Sequence, residues 1–484
     1  MDTRSTPART ARLRRSPAAL ALATLTVIAG LFASPSVPSA KAVSVYGPLQ
    51  ALSEGGGCLH DPTFEPSVLA ACPASATGLT GADALAFSAD GASVYVAGED
   101  SVVALARDRV TGALRPALTP SARACVSGEA RAGCAVSDAA LSGADAIATS
   151  PDGRFVYVGA LNSASVLALA LSPAGRLVPL SRRTGAFFGC VAGEPIDTDV
   201  RAPCAARVDA LHGVTALAIS PDGRYVYAVS GGLGAGEDSI VTLERDPASG
   251  GLRPLAGQGG CVESLPGRGC RALPGLEGAS AIVISPDGRF VYVASQLSGA
   301  VRAFARDRRT GALTPLYGRG GCISSGGQLA FGDAPCGVHA SALAGARSLA
   351  LSPDGRELYV AAFAPGAVAV LDRNPASGRL APTVGGCLEA LPDAACPSGA
   401  PFLRGAAAVS VAASGRAVYV ASEGANSLVE LSRDPGDGAL TLAAGGPTTV
   451  DTLNAPAALA LSPGGQDVYI ASPFDDGVAG FTTG

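Results

Sequence analysis

The chain has 484 residues, 48% of them hydrophobic and 15% charged, with a formal charge of −5. That balance supports a large buried core and excludes a chain kept unfolded by its own charge. An acidic excess with no visible basic cluster also excludes nucleic acid and anionic membranes as partners, because neutralising phosphate supplies most of that binding energy.

Residues 1–42 read separately. Arg12, Arg14 and Arg15 precede an apolar run from Ala18 to Leu31, and a Pro/Ser stretch then leads to Ala40-Lys41-Ala42. The run is shorter than the ~20 residues that span a bilayer. It reads as a signal peptide cut after Ala42, and Arg14-Arg15 points weakly to the twin-arginine route. Cleavage leaves 29 Arg against 39 Asp plus Glu, a formal charge of −10. The expected product is a secreted, soluble monomer formed by one domain over 43–484, with no membrane insertion.

The next segment, YGPLQAL (46–52), leads into the first of twelve cysteines, which fall at 58 and 72, 125 and 134, 190 and 204, 261 and 270, 322 and 336, 387 and 396. Separations alternate between 14 and 9 residues. An even count in an exported chain implies disulfides, and this regularity predicts local bridges such as Cys58 to Cys72. Each closes a small loop, worth about 3 kcal/mol on the chain-entropy model. No CxxC pair exists and His60, His212 and His339 are the only histidines, so zinc is set aside. No metal or other cofactor is expected.

Between the cysteine pairs runs a repeated sentence, SPDGRFVYVAS at 285–295 being one copy. Aligned copies carry Tyr95, Tyr157, Tyr227, Tyr292, Tyr359, Tyr419 and Tyr469. Each holds a small, apolar first segment (GASAIVIS, 278–285) and a second that alternates in the strand period (RFVYVAS, 289–295). A Pro-Asp-Gly turn joins them, so Asp152, Asp222, Asp287 and Asp354 are read as turn residues. A third segment (GAVRAFARD, 299–307) and a fourth (TGALTPL, 310–316) follow, making a four-stranded antiparallel unit. The last copy stops at DGVAGFTTG without a fourth segment, whereas 46–52 has the fourth-segment pattern. The first strand is therefore predicted to complete the last unit. Repeats of this length built from strands predict an all-β, seven-bladed β-propeller closed by its N-terminal strand.

SPDGRxVYVAS and YVASEGANSLVEL (419–431) resemble the YVTN and lactonase-like seven-bladed β-propellers over essentially the whole mature chain. The resemblance implies the fold, and a superfamily of sugar-lactone hydrolases, cycloisomerases and exported proteins without known catalysis. Such lactonases place histidine near the channel, where this chain has none, and AVSGGLGAGED (228–238) only loosely matches their PDLGxD segment. No catalytic residue carries over.

In such a fold the first strand of each blade lines the central channel. Six residues before the turn proline, or its equivalent, stand Asp83, Asp145, Thr215, Ser280, Arg347, Ala407 and Ala457. The five polar members form a candidate ligand ring, with Arg347 able to hold a carboxylate or simply to pair with an aspartate across the channel. His212 and His339 are expected on surface loops. Asp197 and Asp199 with Glu194, and the pair Asp475 and Asp476, are expected to be solvated loop acids. The leading functional expectation is a binding scaffold whose cysteine-bridged rim engages an extracellular protein or glycan. The alternative is a lactonase-like hydrolase using Asp83, Asp145 and Arg347, with water activated by a carboxylate.

Overall fold

The computed structural model describes residues 43–483 except 48, 53–56, 63–71, 73, 118–124, 131–132, 135, 173–174, 184, 196–201, 232–237, 258, 266, 268, 327–335, 395, 445–446 and 451–453. The expected signal peptide, Asp197, Asp199 and positions 232–237 of the AVSGGLGAGED segment lie outside the described residues.

Seven radial sheets surround a channel, and their innermost strands touch one another in a closed cycle. These strands are Ala82–Phe87, Ala144–Thr149, Val214–Ile219, Ala279–Ile284, Ala346–Leu351, Ala406–Val411 and Ala458–Leu461, which begin blades 1 to 7 in that order. The second strands depart from the alternation expected for them: Phe290–Ser295 is buried at every position. Each blade is sandwiched between two others, so both faces of its middle strands need apolar side chains. The Pro-Asp-Gly turns form as expected. In blade 4 the Ser285 hydroxyl donates to Asp287 at 2.6 Å, and Asp287 accepts the Arg289 N–H at 3.0 Å. Gly288 there has φ 67°, a conformation that a side chain would strain.

The fourth strand comes in two halves. In blade 4, Leu313–Pro315 pairs with the end of the third strand, Ala300–Arg306, and Cys322–Ser324 pairs with its start. Each first cysteine thus sits inside the blade rather than in the connection beyond it, and in blade 5 the two halves fuse as Leu380–Glu389. The six bridges join the local partners expected from the spacing: Cys58–Cys72, Cys125–Cys134, Cys190–Cys204, Cys261–Cys270, Cys322–Cys336 and Cys387–Cys396.

Blade 7 is built from both chain ends, with Gln50 opposite Thr482 and Ala51 opposite Phe481. The segment before it adds a second latch. Val43–Tyr46 runs parallel to the start of Ser427–Arg433 in blade 6 and antiparallel to Pro447–Val450. It fills the slot that a cysteine strand occupies elsewhere, in the one blade followed by no cysteine pair.

The repeated tyrosine clamps blades together. The Tyr157 hydroxyl donates to the Gly250 carbonyl at 2.8 Å and accepts Arg245 Nε at 2.7 Å. Arg245, from the next blade, also donates to the Gly223 carbonyl at 2.8 Å and to Asp152 at 2.6 Å. The same clasp recurs with Tyr227 and Arg306, Tyr292 and Arg373, and Tyr359 and Arg433. Tyr469 and Arg107 close blade 7 against blade 1. The turn aspartates are therefore also inter-blade ion-pair partners. Tyr95 and Tyr419 lack the clasp because Leu171 and Thr483 stand at the arginine position of the following blade.

Candidate functional site

The channel positions have a shared geometric origin. In blades 1 to 6 the register between first and second strands slips at one residue, and the extra residue is Asp83, Asp145, Thr215, Ser280, Arg347 or Ala407. A β-bulge turns its extra residue out of the regular pleat. The variable position is thus the one the ladder does not constrain.

Directly above each bulge lies the residue that follows the second strand. In blades 1, 2, 4, 5 and 6 its N–H bonds the carbonyl of a left-handed glycine preceding the first strand, for example Glu99 to Gly81 at 3.4 Å, Phe363 to Gly345 at 2.9 Å and Glu423 to Gly405 at 3.0 Å. In blade 1 a side chain there would be strained, since a Cβ on Gly81 (φ 62°) would lie 2.9 Å from that of Glu99. This second ring reads Glu99, Leu161, Gly231, Gln296, Phe363, Glu423 and Pro473. The cysteine strands end on the same rim: Gly128 N–H bonds the Asp100 carbonyl and Ser264 N–H the Asp238 carbonyl.

The five polar bulge residues divide into two sets. The Thr215 hydroxyl donates to the Ala279 carbonyl at 2.9 Å and the Ser280 hydroxyl to the Ala346 carbonyl at 3.1 Å, so both tie one innermost strand to the next. Asp83, Asp145 and Arg347 instead share an electrostatic neighbourhood. Burial pushes the Asp83 carboxyl up to about 8, reinforced by the Asp145 carboxylate and opposed by Arg347; Glu423 and Glu99 add to the rise. Burial likewise raises Asp145 to about 6, against the pull of Arg347. Arg347 pairs not with an aspartate across the channel but with Glu423 of the neighbouring blade, at 2.7 Å, and its guanidinium stands 5.4 Å from the Phe363 ring. Between Arg347 and Asp83 the equivalent positions of blades 6 and 7 hold only Ala407 and Ala457.

Sequence reasoning missed Glu423, Glu99 and Phe363, although the same variability in an otherwise constant repeat marks their position. Other expectations need correction. Asp475 and Asp476 are buried rather than solvated, because Asp476 accepts the Gly81 N–H at 2.7 Å across the blade 7–blade 1 seam and Asp475 accepts the Asn454 N–H. Asp100 and Asp238 similarly accept the Gly143 and Gly278 N–H groups of the following blades. His212 is buried, its N–H bonded to the Ser230 hydroxyl, whereas His339 is exposed as expected.

A family model described as lactonase, 7-bladed beta-propeller matches residues 196–319 and 324–483. No curated protein matches the chain. Among solved structures, a putative 6-phosphogluconolactonase from Bacteroides uniformis is similar at 20% identity and a TM-score of 0.50, over 77% of this chain and 86% of its own. The periplasmic gluconolactonase of Pseudomonas aeruginosa gives 20% identity and 0.50, over 78% and 87%. Hydrazine synthase of Kuenenia stuttgartiensis gives 16% and 0.50, over 84% and 97%. At such identities the likeness is one of fold.

Proposed function

The chain belongs to the seven-bladed β-propeller lactonase family, and we propose that it hydrolyses a small lactone at the mouth of its central channel. The observation that carries this reading is a pair of carboxyl groups on adjacent bulges, held at about 6 and about 8 within the field of one arginine. At neutral pH Asp145 is then mostly ionised and Asp83 mostly protonated, which gives one group to each half of the reaction. Asp145 takes a proton from water as the oxygen adds to the lactone carbonyl. The ring C–O bond then breaks, and Asp83 delivers its proton to the departing alkoxide. Arg347 faces the negative charge that develops on the carbonyl oxygen, oriented by Glu423. Carboxylates carry both roles because no histidine stands at any bulge position.

A panel of γ- and δ-lactones tests this. Turnover is expected to fall at least about 100-fold in Asp145→Ala and Asp83→Ala; absence of turnover across the panel in the intact protein would refute it. Six local bridges support export to an oxidising compartment, matching the signal peptide read in residues 1–42.

A second reading has its own observation. Exposed Leu265, Leu391 and Phe474 sit on the rim that carries the cysteine loops and the second-to-third-strand loops. Such apolar residues suit a binding surface for an extracellular protein or glycan. Replacing the loops between Cys261 and Cys270 and between Cys387 and Cys396 by short Gly/Ser links should then abolish partner capture from the native medium, and unchanged capture would count against it.

A further inference from the structure

The rim opposite the channel site, where the Pro-Asp-Gly turns lie, holds a cleft of about 550 Å³ between blades 3 and 4. It is lined by Arg224, Arg306, Arg308 and Arg309 against only Asp222 and Asp287. In a chain of net negative charge this local excess of guanidinium groups needs a cause. One is the turn Asp307-Arg308-Arg309-Thr310, which places two arginines where blades 3 and 5 have Pro247-Ala248 and Pro375-Ala376.

The second cause is a rewired hydrogen bond. In blade 2, Arg154 lies across to the next blade and donates to the Ala248 carbonyl at 2.5 Å; in blade 4, Arg289 does the same to Ala376 at 3.2 Å. The equivalent acceptor for Arg224 is the Arg309 carbonyl, but the Tyr225 hydroxyl takes it. Phenylalanine stands at that position in blades 2 and 4, as Phe155 and Phe290, and cannot compete. One added hydroxyl thus releases Arg224, whose guanidinium rests 5.8 Å from the Tyr225 ring. Asp222 is already engaged, since both of its oxygens accept from Arg306, at 3.2 and 2.9 Å. Among the described residues no carboxylate lies within ion-pair distance of Arg224, Arg308 or Arg309.

We propose that this cleft binds a ligand bearing two or more oxyanion groups (carboxylate, sulfate or phosphate) on a scaffold the size of an oligosaccharide. Three planar guanidinium groups converging on one cleft match the bidentate geometry of such anions. The volume falls in the range of small-molecule sites. The site is independent of the channel reading, because it lies at the other end of the strands and shares no residue with it.

Calorimetric titration of the intact protein with tripolyphosphate, a sulfated heparin-type tetrasaccharide and trigalacturonate distinguishes the three anion types. At least one should bind, with an affinity that weakens as salt is raised. The double variant Arg308→Ala/Arg309→Ala, which keeps the Arg309 carbonyl, should lose at least about tenfold in affinity. A double variant of exposed arginines elsewhere, Arg115→Ala/Arg176→Ala, carries the same charge change and should bind like the parent. Tyr225→Phe gives the most direct test: it removes no charge, yet it returns the Arg309 carbonyl to Arg224 and should weaken binding several-fold. Absence of binding by all three probes, or equal losses in the two double variants, would overturn the proposal. So would a Tyr225→Phe variant with undiminished affinity.

Discussion

If the tyrosine clasps hold the blades together, their removal should cost stability only where the tyrosine meets an arginine of the next blade. Arg245→Ala deletes bonds of 2.7 Å to Tyr157, 2.8 Å to the Gly223 carbonyl and 2.6 Å to Asp152. Breaking a buried ion pair costs about 3–5 kcal/mol. Asp152 is 32% exposed in its side chain, however, and rehydrates once unpaired, which lowers the expected loss to about 2–3 kcal/mol. Tyr157→Phe keeps the ion pair but leaves Arg245 Nε and the Gly250 carbonyl without their partner, a loss of about 2 kcal/mol. The two changes share one bond, so the double variant should fall short of their sum by about 1 kcal/mol. Tyr95→Phe is the internal control, since Leu171 stands where its arginine would be, and it should cost less than about 1 kcal/mol. Urea unfolding followed by circular dichroism, with unchanged slopes, measures all four. A Tyr157→Phe loss no larger than that of Tyr95→Phe, or a cycle that closes at zero, would refute the clasp.

The hydrolase reading predicts a bell-shaped dependence of kcat/KM on pH. Activity should fall below about 6 as Asp145 takes a proton and loses its role as base, and above about 8 as Asp83 ionises and loses its role as acid. A profile flat from 5 to 9 on the pH scale would exclude this pair of groups. Because Asp83 is raised in the folded state, the native chain holds a proton that the unfolded chain releases, and stability declines as pH rises from about 4 to about 8. Asp83→Asn should therefore flatten that slope and add at least ~1 kcal/mol at pH 8, read from urea midpoints. Leu49, buried beside Leu428 and Phe481 at the seam, should cost about 2–5 kcal/mol as Leu49→Ala, whereas a chain beginning at residue 43 should unfold like the full-length protein. Cys261→Ser with Cys270→Ser should lower stability by about 2–4 kcal/mol in the same assay.

The fold was legible because its units are local. Pro-Asp-Gly fixes a hairpin between strands that follow one another directly in the chain, as Ala279–Ile284 and Phe290–Ser295 do, and the missing fourth segment after Phe481 had one evident replacement near the amino terminus. The clasps were visible only as repeated letters. Tyr469 and Arg107 stand 362 residues apart, and nothing in either copy shows that the arginine of one blade serves the tyrosine of the one before. The same limit explains the site. Aligning copies compares one position around the ring, which found the bulge residues. It cannot relate two positions in different copies, so Glu423 went unrecognised as the partner of Arg347, 76 residues away. The alternation read into the second strands failed for a related reason, because burial on their second face comes from a neighbouring blade.

These staples also bear on how one repeated scaffold can carry unlike chemistry. Clasps fasten one rim, aspartate-to-glycine caps and disulfides fasten the other, and the first strands need only small apolar residues between them. The bulge residue and the loop residue above it add to that fastening only through Thr215, Ser280 and the Arg347–Glu423 pair. They are therefore free to differ from blade to blade. Placing two carboxyl groups on adjacent bulges opposes stability, since burial raises both and the Asp145 carboxylate raises Asp83 further, and a fold held so firmly elsewhere can tolerate that cost. Retention of an ionisable pair where asparagine would be more stable is the physical argument for chemistry in the channel.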